Sequence, residues 1–344
     1  MEQTGPRVSG FRRLLTRTAN RVPRALREGN ARLLKVSEQE ADADGEMAVA
    51  GHLRKQTLAA TGLLLAIAAV LLAQHLFGDR ASAATARAAK SVSIATKTFR
   101  LTHADQKERL TVGCPGRSSP LGGGMMTNPP PSSDGEGVYP HSYERLGVQQ
   151  AWHVTAVLFD PNPHTTAARD VTLQAVCGPK LGHVTPPHKT KYVKPGQTKS
   201  VTATCPGRRH LFSGGFQRTD FVAQGGNFVT ESRAISPKSW RVVGHAFGAF
   251  GGELTAVAYC VRSGKPRLAE VSSSTVLGTG STGTATTPGC PPGRRLTAGG
   301  FSSNGSESVF FTNGMINADG TWSGSGYNTG AATNLTAYGY CLKL

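Results

Sequence analysis

The chain lacks the short motifs on which most catalytic and metal-binding machinery is built. It has no Gly-x-Ser-x-Gly elbow, no His-Glu-x-x-His and no Cys-x-x-Cys, so serine-hydrolase, zincin and dithiol chemistry have no starting point. Beyond residue 95 it holds only 13 Asp and Glu, without a repeated pair, which gives two-carboxylate glycoside hydrolysis no foothold. The ten histidines are scattered, and the closest outer pair, His183 and His188, sits in a Pro-rich stretch without a nearby carboxylate. We read that stretch as a loop, with neither a metal site nor a cofactor. Gly278 to Gly283 fits Gly-x-Gly-x-x-Gly, but Ser, Thr and Gly continue to Cys290 where a dinucleotide-binding helix would have to begin, so a hairpin or linker is expected. The net charge of +17 contains no polybasic run interleaved with aromatics. A solvated basic face fits this better than nucleic-acid binding.

Long apolar runs are also missing, with one exception. Thr57 to Phe77 gives 21 residues without a formal charge, and about 20 such residues span a bilayer. Arg54 and Lys55 precede it, so the positive-inside rule puts residues 1–56, a basic and partly disordered tail, in the cytoplasm and the remainder outside. The alternative is a cleaved signal peptide starting at Met47, with Ala81-Ser82-Ala83 as the processing site and a secreted product. The run exceeds the usual signal-peptide core, which favours a single-pass anchor followed by an Ala-rich linker over 78–98.

What is plentiful is glycine, 42 residues, with 20 prolines, a composition of turns and short strands. All six cysteines lie beyond the apolar run, where thiols oxidise, and they recur in order. Cys114, Cys205 and Cys290 each open a Pro-Gly turn followed by arginine. A glycine pair comes next (Gly122-Gly123, Gly214-Gly215, Gly299-Gly300), then one tryptophan (Trp152, Trp240, Trp322), then a closing cysteine (Cys177, Cys260, Cys341). Three units over 99–190, 191–268 and 269–344 follow. Each ends on an alternating strand, such as Leu254 to Cys260, and Lys194 to Gln197 reads as a turn. The repetition leaves two sensible pairings. Either each unit closes on itself, or neighbours are linked and the ends meet; the first needs no closure of chain ends.

This order of Cys-Pro-x-Gly, Gly-Gly, Trp and Ala-Tyr-x-Cys resembles an uncharacterised family of surface proteins from high-GC Gram-positive bacteria, over residues 99 to 344. The threefold arrangement is also similar to the β-prism of vitelline membrane outer layer proteins and jacalin-like lectins, without a lectin signature. The resemblance implies an all-β, pseudo-threefold domain, which the apolar run at 57–77 places behind one transmembrane helix. The first unit departs from the pattern, with Met125 in place of Phe216 and Phe301, and Val176 in place of Tyr259 and Tyr340.

Two sets of residues are candidate sites. Arg117, Arg208, Arg209, Arg294 and Arg295 follow the Pro-Gly turns and would suit an anionic polymer or lipid headgroup. The extra loop of the first unit, Asn128 to Gly135, with Tyr139, His141 and Tyr143 after it, is the other. One tryptophan at the same place in each unit reads as core rather than as a sugar platform. The expected function is a non-enzymatic binding module at the cell envelope for a glycan, an anionic polymer or a protein. A structural component of an envelope complex and a cell-wall hydrolase are the alternatives.

The topology is testable: protease added to intact protoplasts should remove the repeats and spare residues 1–56, and protection of the repeats would reverse the reading.

Overall fold

A computed structural model of the chain describes residues 92–131, 136–159, 168–219, 221–222, 225–262 and 268–344. The basic start, the apolar run, most of the Ala-rich stretch and residues 132–135 of the extra loop lie outside the described residues. Among those described, no helix is long and apolar enough to cross a membrane, and every regular element is a strand.

The first unit comprises β1 (Ser93–Leu101), β2 (Lys107–Gly113), β3 (Ser119–Asn128), β4 (Gly137–Leu146), β5 (Ala151–Phe159) and β6 (Arg169–Gly178). The second repeats this with β7 (His188–Val193), β8 (Thr198–Thr204), β9 (Arg209–Arg218), the short β10 (Phe221–Val222), β11 (Gly225–Ser236), β12 (Ser239–Gly248) and β13 (Gly252–Arg262). The third has β14 (Ala269–Leu277), β15 (Ser281–Thr286), β16 (Arg295–Ser302), β17 (Val309–Ile316), β18 (Trp322–Asn328) and β19 (Thr333–Leu342). Each unit opens with two strands that part into different sheets, joined by a turn with one residue at positive φ: Asp105 (58°), Gly196 (69°) and Gly280 (65°). The Gly-x-Gly-x-x-Gly stretch is therefore the turn that carries the chain from β14 in one sheet to β15 in another, closed by Ser281 N donating to Gly278 O at 3.3 Å.

The units do not each form a sheet. Strand order is β1-β6-β3-β17-β18-β15, β2-β5-β4-β9-β13-β7 and β14-β19-β16-β11-β12-β8, with β10 added beside β11. Every unit thus gives three path strands to one sheet and three to the next. Sheet A joins the first and third units, sheet B the first and second, and sheet C the second and third. The seams between units are short: Gly314 opposite Met125, Ser142–Tyr143 opposite Gln217–Phe216, and Glu231–Ser232 opposite Ser302–Phe301. This closes a ring of pseudo-threefold order.

Where the ring closes, two glycines are required per unit, for different reasons. A Cβ placed on Gly123, Gly214 or Gly299 would fall 2.4, 2.1 or 1.9 Å from the ring of Trp152, Trp240 or Trp322. On Gly124, Gly215 or Gly300 it would fall 1.8, 2.0 or 2.6 Å from a backbone carbonyl of the neighbouring unit, at Gly314, Tyr143 or Ser232. The first glycine admits the indole, and the second admits the next unit's strand. This corrects the sequence pairing in the first unit, where the structural pair is Gly123-Gly124, nine residues after Cys114 as Gly214 is after Cys205. The indoles are at most 2% exposed, so they are core and no sugar platform. About 20 Å³ of space remains among them, room for about one water.

The disulfides join Cys114 to Cys177, Cys205 to Cys260 and Cys290 to Cys341, with Cα–Cα distances of 5.5, 5.6 and 5.8 Å. Each closes its own unit. Loops of 63, 55 and 51 residues are worth about 4 kcal/mol each in the chain-entropy account.

Beyond each short seam the partner strand keeps a backbone N–H that no ladder satisfies. In the second unit the Tyr259 hydroxyl accepts from Arg145 N at 2.6 Å, and in the third Tyr340 accepts from Ala234 N at 2.8 Å. The first unit has Val176 at this position. There Gln174, two residues earlier, takes over: its Oε1 accepts from Ile316 N at 2.9 Å and its Nε2 donates to Ile316 O at 3.2 Å. Gln174 is buried, and the departure seen in the sequence is compensated within the same strand. Tyr340→Phe and Gln174→Leu should each leave a buried amide unpaired and lower the unfolding free energy by about 1–3 kcal/mol in urea denaturation. Val176→Tyr should bring no gain, because Ile316 N is already engaged.

Candidate functional site

The turns that carry the candidate arginines stand at one end of the ring, next to the disulfides. Their glycines have positive φ, 57° at Gly116, 55° at Gly207 and 75° at Gly293, and each is closed by an N–H donating to the first proline's carbonyl at 3.1–3.2 Å. The extra Pro292 moves glycine one place along the third turn. Arg117 and Arg208 are consequently equivalent to Gly293, while Arg294 is equivalent to Arg209 and Ser118. The guanidinium groups do not form an exact threefold set. Arg117, Arg208 and Arg295 are exposed; Arg209 is half-buried and donates to Thr185 Oγ1, and Arg294 is half-buried and donates to Cys341 O at 3.4 Å.

Tyr139, His141 and Tyr143 are not loop residues. All three lie in β4 and are 2%, 1% and 6% exposed. Tyr139 is equivalent to Phe228 and Phe310, and the three rings pack around the axis with centroids 5.6, 6.4 and 4.2 Å apart. Tyr143 packs on Phe216 at 5.3 Å. His141 occupies a β-bulge that recurs at Thr230 and Thr312. A Pro-rich, polar context reads as a loop in sequence, whereas here the bulge turns a polar side chain inward three times.

The sequence reading missed a cluster of like charge. Lys189 and Lys191 on β7 are in phase with buried Val193, and Lys199 on β8 is in phase with buried Val201, so all three project to the corner where sheets B and C meet. Lys191 Nζ donates to Ser200 O at 3.0 Å, across from one strand to the other. Among the described residues no carboxylate forms a salt bridge with any of the three. The equivalent corners carry Lys97, Phe99 and Glu108 in the first unit and Ser273, Thr275 and Gly283 in the third. The signal was available in sequence as the i, i+2 spacing of Lys189 and Lys191 once His188 to Val193 is taken as a strand. Among the described residues no group of three or more His, Cys, Asp or Glu side chains is placed to hold a metal ion.

No family model matches the chain, and no curated protein matches it at a significant level.

Burial, reinforced by the Arg218 and Lys107 charges, lowers the His141 pKa from 6.5 to about 2. The folded protein therefore keeps this imidazole neutral while the unfolded chain protonates it below pH 6.5. The stabilisation is complete above pH 6.5 and is lost as pH falls towards 2, amounting to roughly 2–3 kcal/mol by pH 4.5. His141→Thr, which installs the residue of the other two bulges, should flatten the stability profile between pH 6.5 and 4.5 in denaturant titrations.

Proposed function

We propose that this chain is a membrane-anchored, extracytoplasmic and non-enzymatic binding module that holds an anionic polymer of the cell envelope. The observation that carries the reading is the corner of Lys189, Lys191 and Lys199. Three like charges without an acidic partner among the described residues cost stability where they stand, and of the three equivalent corners this is the one so furnished. A polymer of repeated anionic groups is the ligand that three exposed ammonium groups along two strands would hold best. The uncharged run at 57–77 after Arg54 and Lys55 supports the anchor, and the three disulfides suit an oxidising exterior. The exposed turn arginines Arg117, Arg208 and Arg295 add positive potential at one end of the domain. Glycan or protein ligands, and a structural role, would leave the lysine corner without a purpose.

Replacing Lys189 by Ser, Lys191 by Thr and Lys199 by Ser should weaken binding of the detergent-solubilised full chain to poly(glycerol phosphate) about tenfold or more. Wild-type binding should fade as salt rises, because screening acts within about 8 Å at physiological ionic strength. The melting temperature should be unchanged or slightly raised, since exposed substitutions usually shift stability by less than about 0.5 kcal/mol. Binding that survives the triple substitution, or that ignores salt, would remove the lysine corner from the account. Retention by this variant with loss in Arg117→Ala, Arg208→Ala, Arg295→Ala would transfer the site to the turns.

A further inference from the structure

The three outer faces of the ring occupy equivalent positions in the fold and differ in chemistry. At the centre of sheet C stand Glu231, Arg233 and Arg241, with Arg241 Nε and Arg233 Nε 2.5 and 3.3 Å from Glu231 Oε1. At the equivalent places in sheet B stand Ser142, Glu144 and His153, and Arg109, the counterpart of Ser200 in sheet C, holds its Nε 3.2 Å from His153 Nε2. In sheet A these positions are taken by Asn313, Met315, Ser323 and Thr284, and no ionisable side chain replaces them.

That face is hollowed into an open groove of about 600 Å³ which crosses β3, β17, β18 and β15, and no residue lining it is ionisable. Its polar groups are hydroxyls and amides. Thr284 Oγ1 and Ser325 Oγ lie 2.8 Å apart, Asn317 Nδ2 donates to Ser323 Oγ at 2.8 Å, and Asn313 Oδ1 accepts from Thr127 Oγ1 at 3.0 Å. Hydroxyl pairs of this kind each retain a free lone pair or proton for a ligand. Met126, Met315 and Pro130 supply apolar contact between them. The volume falls in the range of small-molecule sites, which combine apolar lining with a few placed polar groups.

We propose that the outer face of sheet A binds an uncharged saccharide chain. A sugar offers alternating hydroxyls and C–H faces, which match hydroxyl and amide pairs set among thioether and proline carbons. A charged ligand would be desolvated there without a counter-charge, at a cost that the other two faces would not impose. The groove is separate from the lysine corner at the edges of sheets B and C, so the two readings stand or fall independently.

The test is affinity electrophoresis of the full chain in detergent through gels containing dextran, mannan, galactan or xylan. At least one of these neutral polysaccharides should retard the wild-type protein, and the retardation should be the same at low and high salt. Thr284→Arg with Met315→Glu, which installs the sheet B residues at half-exposed or exposed positions, should weaken it tenfold or more. A milder pair, Thr284→Ala with Ser325→Ala, should weaken it at least threefold with the melting temperature retained. The lysine-corner variant should be retarded like the wild type. Migration unaffected by all four polysaccharides, or equal retardation of the wild type and the charged variant, would overturn the proposal. So would retardation by poly(glycerol phosphate) that is lost in the groove variants and kept in the lysine variant.

Discussion

The contact between an indole ring and a glycine backbone, made three times, sets how closely the strands of this domain approach one another. With Trp152, Trp240 and Trp322 lying on Gly123, Gly214 and Gly299, the innermost strands draw in until their neighbours touch backbone to backbone at the seams. A side chain as small as alanine at any of these glycines would meet ring atoms at well under contact distance. The chain is 7% aromatic, and placing one tryptophan per unit against bare backbone lets so few rings fill the interior. The seam hydrogen bonds, the bulges and the outer faces all take their positions from this approach.

Pseudo-symmetry constrains the backbone more tightly than the side chains. The same orphaned amide is satisfied by tyrosine in two units and by Gln174 in the other. The same bulge holds His141 in one and threonine in two. The corners and outer faces diverge furthest: one corner is cationic, two sheets carry charged centres, and the centre of the third sheet is neutral. Equivalence is kept where packing leaves no choice and abandoned where solvent permits. Those departures are where ligand recognition is to be sought.

Much of this was legible in the chain itself. Cysteine, tryptophan and glycine recur because disulfide, core ring and close approach each tolerate one residue type, so their order exposes the threefold plan. The strand before each closing cysteine could be read from its alternation. Other features escaped because they depend on partners distant in sequence. Nothing local distinguishes Gln174 from a solvent-facing glutamine until Ile316, 142 residues on, is placed beside it. Tyr139, His141 and Tyr143 follow a Pro-rich stretch and carry polar groups, so they read as loop; their burial comes from Phe228, Phe216 and Phe310 in other units. The exchange of half-sheets between units had no sequence sign, because a strand of this composition fits either neighbour.

That exchange bears on what a single unit can do alone. In a solenoid each repeat adds to a stack, and shortening the array leaves the remaining repeats folded. Here a unit by itself would present two half-sheets with open inner edges and a tryptophan pressed against a surface that no longer closes. It could regain its surroundings by meeting two copies of itself, so the present chain is, in effect, a trimer strung on one thread, with the gap between Leu342 and Ser93 standing where the other two units are joined by linkers. Moving that gap to either linker would preserve every sheet, whereas deleting any unit would leave each of the other two with one half-sheet unmatched.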